Sequence, residues 1–417
     1  MILRTRAIWA GKGRIIGDAA LRIRGDRIAG LDASRNLSPE PGEPVVDIGE
    51  SIIFPAFINA HCHLDYTGLG GELFKGESFT AWLNDMVAIK RSLTHSDYES
   101  GWLAGANMLL SSGCGTVANI ESVPGLFQRM ALKTPLQVCP FTELIGYHSE
   151  DSDELVNLAK RELAVNTSIA LRAGLSPHAP YTLTSEALSL ISAVADERSV
   201  PTMVHLAESE DELEMFMKAS GPMYEAMNDL GRKMEDCGLG SPVQHFANSG
   251  GFSQKTLVVH ANKLIGADVG FLQRANVDII HCPRSRDWFG HQGFDYDRFA
   301  NAGLNISIGT DSLASAGGGG GVLKLDMFTE MREFKRCHPR IDCEDILQLA
   351  TLNGAKALGL EREIGQLRDG GRADLASIPF SGKMPEVPEM ILHHQGSVGM
   401  TMIAGKKAYS RFGSIVD

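Results

Sequence analysis

Ile52-Ile53-Phe54-Pro55-Ala56-Phe57-Ile58-Asn59-Ala60-His61-Cys62-His63 is an apolar run that ends in two histidines one residue apart. Side chains alternate faces along a β-strand, so residues two apart point the same way. A strand ending His61-Cys62-His63 therefore aims two imidazoles at one point and turns Cys62 away. Two nitrogen donors converging at the C-terminal end of a strand begin a metal site of the zinc type.

Four later runs end in the same kind of residue. Pro201-Thr202-Met203-Val204-His205 is followed by Glu208, and Thr256-Leu257-Val258-Val259-His260 and Val277-Asp278-Ile279-Ile280-His281 follow in turn. Leu304-Asn305-Ile306-Ser307-Ile308-Gly309-Thr310-Asp311 ends in a carboxylate. Any one of these histidines reads as a core residue satisfied by a backbone partner, His281 especially. Strands ending in His, His, His, His and Asp read together as a metal constellation. Segments 113–121, 136–145 and 169–178 also read as strands, and 78–91, 152–163, 185–196 and 210–218 as amphipathic helices. Alternating strand and helix implies a parallel sheet. Eight such strands predict an α/β fold with a closed (β/α)8 TIM-like barrel, whose active sites gather at the C-terminal strand ends.

The flanks differ. Residues 1–56 and 364–417 hold short β-like pieces punctuated by glycines, and neither is long enough for a comfortable core of its own. The economical solution is a small β-sandwich assembled from both chain ends, with a hydrolase-like barrel over 57–363 inserted between them.

Composition narrows the partners. The chain has 417 residues, 43% hydrophobic and 22% charged, with a formal net charge of −12. That balance suits a globular protein and opposes nucleic-acid binding by phosphate neutralisation. No apolar stretch approaches the ~20 residues of a membrane helix. Seven cysteines with no C-x-x-C pair and no export signal fit reduced thiols in a cytoplasm. Cys62 and Cys282, each beside a strand-ending histidine, are expected to face away from the metal.

Phe57-Ile58-Asn59-Ala60-His61-Cys62-His63, Ser176-Pro177-His178-Ala179-Pro180-Tyr181, His205-Leu206-Ala207-Glu208-Ser209 and Gly309-Thr310-Asp311-Ser312 resemble the successive signatures of the amidohydrolase superfamily. The resemblance is to the branch of triazine hydrolases and guanine, S-adenosylhomocysteine and aminofutalosine deaminases. Ala350-Thr351-Leu352-Asn353-Gly354-Ala355-Lys356-Ala357-Leu358-Gly359-Leu360 is similar to the helix that leads back to its sandwich. Gly76-Glu77-Ser78-Phe79-Thr80-Ala81-Trp82-Leu83 is most similar to aminofutalosine deaminases. The resemblance implies His61, His63, His205 and Asp311 as ligands of one divalent metal ion, zinc by preference, with iron or manganese also compatible. Binuclear relatives bridge their metals with a modified lysine on a middle strand, and 136–145 and 169–178 contain none.

The same resemblance implies hydrolytic deamination of a purine-like N-heterocycle, with an aminodeoxyfutalosine or adenosine derivative favoured. Glu208 would be the proton shuttle, Asp311 would accept a proton from the attacking water, and His260 would steady the developing charge. Read alone, Glu208 is also a plausible helix N-terminal acid, since it stands beside Glu210 and Asp211. His178, Glu143, Trp82, Arg286 and Ser312 are the expected substrate contacts. Trp82 offers a flat wall, and Arg286 sits in a locally distinctive loop with Trp288 and His291. The glycine run 317–321 reads as a flexible turn or a lid. Barrels of this branch often self-associate, so a homodimer is an expectation carried by the resemblance alone. Two other readings stay open: a triazine-type chloro/alkylamino or cyclic amide hydrolase, and a catalytically silent barrel serving as a binding or oligomerisation module.

Overall fold

The computed structural model of the chain describes residues 1–291, 294–316 and 323–411. The N-terminal strands are β1 (Ile2–Gly11), β2 (Arg14–Arg24), β3 (Arg27–Ala33), β4 (Val45–Asp47) and β5 (Ser51–Pro55). Next come β6 (Phe57–Cys62), β7 (Cys114–Glu121), β8 (Gln137–Leu144), β9 (Gly174–Pro177), β10 (Thr202–Leu206), β11 (Thr256–His260), β12 (Asp278–His281) and β13 (Asn305–Ile308). The last strands are β14 (Leu375–Pro379), β15 (Met400–Ile403) and β16 (Lys406–Ser410).

Strands β6 to β13 form one parallel sheet in chain order, with helices between successive strands. The ring closes where the Asp311 N–H donates to the His61 carbonyl at 3.1 Å and Cys62 bridges Asp311 in parallel. Closure needs a residue without a side chain: a Cβ on Gly309 would lie 2.7 Å from the His61 carbonyl oxygen. Ile58, Ile120, Phe141, Met203, Leu257 and Val259 fill the interior beneath that rim, and Ala355 and Leu358 of the helix Leu352–Leu358 pack into the same cluster. The eight-stranded parallel barrel predicted from the rhythm of apolar runs is therefore present.

One strand starts later than its sequence suggests. The segment 169–178 reads as extended, yet the helix Ser152–Ile169 runs through its start and β9 begins at Gly174. No breaker interrupts the helix after Leu163, and Asn166 continues its buried face, so the helix adds turns.

The two chain ends share one mixed sheet, in the order β16-β15-β14-β5-β1-β2-β3, with β4 also pairing with β1. Its hydrogen bonds form one continuous sheet rather than two. The sheet curls on itself: the Ile28 N–H donates to the Gly371 carbonyl at 2.9 Å and the Ala373 N–H to the Asp26 carbonyl at 2.8 Å. Leu21, Ile28, Ile53, Leu375 and Met402 meet in the core so enclosed. Trp9, Ile52 and Phe54 belong instead to the cluster that continues into the barrel.

Candidate active site

His61 and His63 face the barrel axis because β6 breaks its own alternation. Asn59 pairs with Val117 while Cys62 pairs with Asn119, so β6 carries one residue more than β7 across that interval, a bulge. Ile58 and Ala60 face inward. The bulge then turns His61 and His63 inward as well, and Cys62 packs outside. On β10 the alternation is regular, with Met203 inward and His205 one step above it. His260 (φ 73°) and Asp311 (φ 56°) reach the same point through left-handed backbone at the ends of their strands, and Ala207 (φ 53°) and Ala261 (φ 48°) have the same conformation. Such residues cost roughly 1–3 kcal/mol each and gather at working sites.

The structure brings four of the expected ligands together. The ligating nitrogens of His61, His63 and His205 lie within 4.8 Å of one another. Asp311 Oδ1 is 3.6 Å from His61 Nε2 and 3.8 Å from His63 Nε2. Tautomers are set from behind. The Nδ1–H of His205 donates to the His178 carbonyl at 2.9 Å, and His61 Nδ1 lies 3.2 Å from the Met203 sulfur. Both rings thus present a bare Nε2 to the centre, where His63 Nε2 faces His205 Nε2 at 3.3 Å. His61 Nε2 is buried with no hydrogen-bond partner among the described residues. Lone pairs facing one another in a dry site are unfavourable without a cation between them, and three imidazoles plus a carboxylate are a zinc-type donor set. The residues present fit a divalent metal.

Protonation agrees. Burial, reinforced by neighbouring imidazoles, pushes His205 down to about 4 and His63 well below the ordinary range, so both are neutral at pH 7. Burial works to raise Asp311, but the close approach of His61 and the other surrounding histidines outweighs it and holds the carboxyl low.

Glu208 stands beside this cluster, its Oε1 3.4 Å from His260 Nε2. Burial first, then the charges of Asp311 and Glu212, raises its carboxyl well above the usual range. Glu212 is wholly buried. It accepts the N–H groups of Ala207 at 3.2 Å and Glu208 at 2.7 Å, fixing the turn that carries the acid.

Above lies a cavity of about 530 Å³ lined by His63, His205, Glu208, His260 and Asp311 at its floor. Glu143, His178, Trp82 and Ser312 also line it. The Nδ1–H of His178 donates to the Thr182 hydroxyl at 3.0 Å, since that hydroxyl donates onward to the Ala179 carbonyl, and Nε2 is left as an acceptor. Trp82 packs edge-on against Phe289 at 4.9 Å, and its indole N–H donates to the Ala314 carbonyl at 3.3 Å.

Arg286 is not brought to the cavity. Its guanidinium turns to Cys337 Sγ at 3.0 Å, because Arg286 lies on the helix Pro283–Phe289 facing away from the floor. His281 likewise points out of the barrel and stacks on Phe294 at 3.7 Å. The expectation for Cys282 is therefore reversed: Ile280 and Cys282 face inward, and the Cys282 sulfur lies within 4.8 Å of His260 and Asp311 donor atoms. Burial and the Asp311 charge raise that thiol well above its ordinary range, so it is not a ready nucleophile. The glycine run 317–321 lies outside the described residues. Sequence reasoning missed Tyr147, Tyr181 and Phe289 among the lining residues, and only Tyr181, next to the His178 signature, carried a local cue.

Comparison with known proteins follows the same lines. A 5-methylthioadenosine/S-adenosylhomocysteine deaminase of Pyrococcus abyssi is 27% identical over 395 residues, covering 91% of this chain and 85% of that protein. The crystal structure of Helicobacter pylori aminofutalosine deaminase in complex with methylthio-coformycin superposes with a TM-score of 0.82 at 23% identity, covering 98% of this chain and all of the other. An adenosine deaminase structure from Xanthomonas campestris with bound zinc also gives 0.82, at 20% identity, over 98% of this chain and 92% of that one. The sequence pattern of the Amidohydrolase family matches residues 52–408, from the strand before the first histidine pair through the closing strands, and the chain belongs to that family.

Proposed function

We propose that the chain is a mononuclear metal-dependent aminohydrolase that removes the amino group of an adenine-type nucleoside as ammonia. The observation that carries this reading is a buried, protonation-favoured carboxyl, Glu208, held 3.4 Å from His260 beside a cluster of three histidines and an aspartate, beneath a cavity of nucleoside size. His61, His63, His205 and Asp311 would hold a divalent ion, zinc by preference, which would supply the Lewis acidity that makes water nucleophilic at neutral pH.

The chain's own groups then divide the proton work. Glu208, in its acid form, protonates a ring nitrogen of the base and makes the amino-bearing carbon electrophilic. Asp311, held as a carboxylate, takes a proton from the attacking water. The C–O bond forms. The Glu208 carboxylate then takes the proton of the new hydroxyl and hands it to the amino group. The C–N bond breaks with the carbonyl formed and ammonia released, and the proton held on Asp311 returns to Glu208. Neutral His260 hydrogen-bonds the incoming oxygen. Glu143 and the His178 Nε2 acceptor suit sugar hydroxyls, and Trp82, braced edge-on by Phe289, offers an aromatic surface to the base. The names of the Pyrococcus and Helicobacter relatives, which are deaminases, support the reaction class, and the zinc in the Xanthomonas structure supports the metal.

Ammonia release by zinc-loaded protein is the test, across adenosine, 5′-deoxyadenosine, 5′-methylthioadenosine, S-adenosylhomocysteine, aminodeoxyfutalosine and guanine. Release from an adenine nucleoside that stops on chelation is expected. Silence across the panel with metal bound would remove the deaminase reading in favour of a triazine-type or cyclic amide hydrolase, or a silent scaffold.

A further inference from the structure

A second group of donors shares the cavity floor. His260, Cys282 and Asp311 each offer one donor atom, and the three atoms lie within 4.8 Å of one another. His260 ends β11, Cys282 directly follows β12, and Asp311 comes shortly after β13. These strands are neighbours in the barrel, so the sheet itself sets the spacing of the three. His260 and Asp311 line the cavity, while Cys282 is fully buried in the interior cluster with Ile280. One side of the triangle is therefore open to an ion arriving through the cavity.

The chemistry of the three suits a soft cation. Sulfur, imidazole and carboxylate oxygen make a zinc-type donor set, and a thiolate turns the preference toward softer ions. The sulfur lies in acidic surroundings, where the charges of Asp311, Glu330 and Glu208 all act on it. Its thiol is also unspent. The Cys114 thiol donates to the Thr116 carbonyl at 3.1 Å, but that of Cys282 makes no such bond among the described residues. A carboxylate has two oxygens, so Asp311 can lend one here while the other stays with His61 and His63. Ligand bonds of about 2.0–2.3 Å let one zinc ion span donors up to roughly 4.6 Å apart. Cadmium, larger and softer, closes the triangle with less movement.

We propose that His260, Cys282 and Asp311 form a second, inhibitory site for a soft divalent cation, filled by cadmium or by zinc in excess. As the ion binds, the S–H bond breaks, the sulfur gives its electron pair to the ion, and the proton leaves to solvent. An ion there occupies the imidazole that steadies the incoming oxygen and the carboxylate that takes the proton of water. The inhibition rests on the deaminase reading; the site rests on the three donors and needs no bridging lysine.

The test titrates cadmium into protein carrying one zinc, for wild type and Cys282→Ser. Zinc and cadmium are counted per chain after desalting, with the ultraviolet sulfur-to-cadmium charge-transfer band and ammonia release from the best nucleoside of the panel. Wild type is expected to take one cadmium more than the variant and to show the band of one more thiolate. Its kcat should fall about a hundredfold or more, the scale of a lost proton-transfer group. In Cys282→Ser the cadmium concentration giving half inhibition should rise about tenfold or more, as metal affinity falls with the loss of a supporting residue. The same cadmium count and band in both chains, or cadmium that only replaces the zinc, overturns the proposal. Should the serine variant not fold, anomalous scattering from cadmium-soaked wild-type crystals decides. A peak between His260, Cys282 and Asp311 supports the site, and peaks only elsewhere overturn it. If no nucleoside releases ammonia, the reading of the reaction fails separately, and the ion count and the band still decide the site.

Discussion

Glu212 does not line the cavity, yet two backbone N–H groups of the turn that presents Glu208 end on its carboxylate. A glutamine there keeps one acceptor oxygen and sets an NH2 group against the other N–H. Leaving a buried donor unmatched costs about 1–3 kcal/mol. Glu212→Gln is therefore expected to lower kcat about tenfold or more while metal content and KM stay near wild type; unchanged kcat would deny Glu212 a positioning role. Glu208→Gln removes the acid itself and is expected to lower kcat by about 10²–10⁴ with metal retained, read by stopped ammonia release and metal analysis together. At this scale the sequence was legible wherever strict alternation held, as at His205. It misled where the backbone left that rule. The bulge before His61 is invisible in the residue pattern, as are the left-handed turns at His260 and Asp311. The phase of β12, which puts Cys282 inside and His281 outside, was set by Ile280 packing into the interior, and a histidine at a strand end does not reveal it.

Strand β7 carries a buried acid behind the first histidine pair. Glu121 Oε1 accepts the Asn119 amide at 2.8 Å and the Trp102 indole N–H at 3.2 Å, while Oε2 has no partner among the described residues. The Asn119 side-chain oxygen in turn accepts the Leu64 N–H at 2.8 Å, which backs the chain at His63. Burial, then the nearby Asp65, pushes Glu121 up to about 8. A pKa raised by folding gives stability that is complete below the unfolded value near 4.5 and is lost as pH climbs toward about 8. Glu121→Gln keeps the acceptor oxygen and removes the titration. Its unfolding free energy relative to wild type is expected to rise between pH 5 and pH 8, by an amount on the order of 1–3 kcal/mol, read by melts at both pH values. A constant difference would mean that Glu121 does not titrate in that window. Another element-scale constraint is Gly309, where even alanine would collide with His61 backbone. Strand number and order were legible from apolar runs and their terminal residues. The start of β9 was not, because no breaker marks the end of the helix before it.

Across the whole molecule, the curled sheet and the barrel share a core through Trp9, Ile52 and Phe54. Phe54 is fully buried, with its ring 5.1 Å from Phe57 and 6.4 Å from Phe328. Phe54→Ala is expected to cost about 3–5 kcal/mol. Loss of sheet structure and release of metal should coincide in one melting transition, and two separated transitions would show the parts to be independent. That both chain ends build one sheet was readable from their similar composition. That the sheet curls back on itself was not, because it depends on the backbone pairing of Ile28 with Gly371.

Strand β5 finds its partner β14 only across the length of the barrel, with Ile52 opposite Ile378 and Phe54 opposite Ala376. A ribosome adds about 5–20 residues each second, so the strand leading into the first histidine pair, already beside β1, waits tens of seconds for its second neighbour to be made. Until then one edge of β5 is an open row of N–H and C=O groups, the kind of edge that invites pairing with another chain.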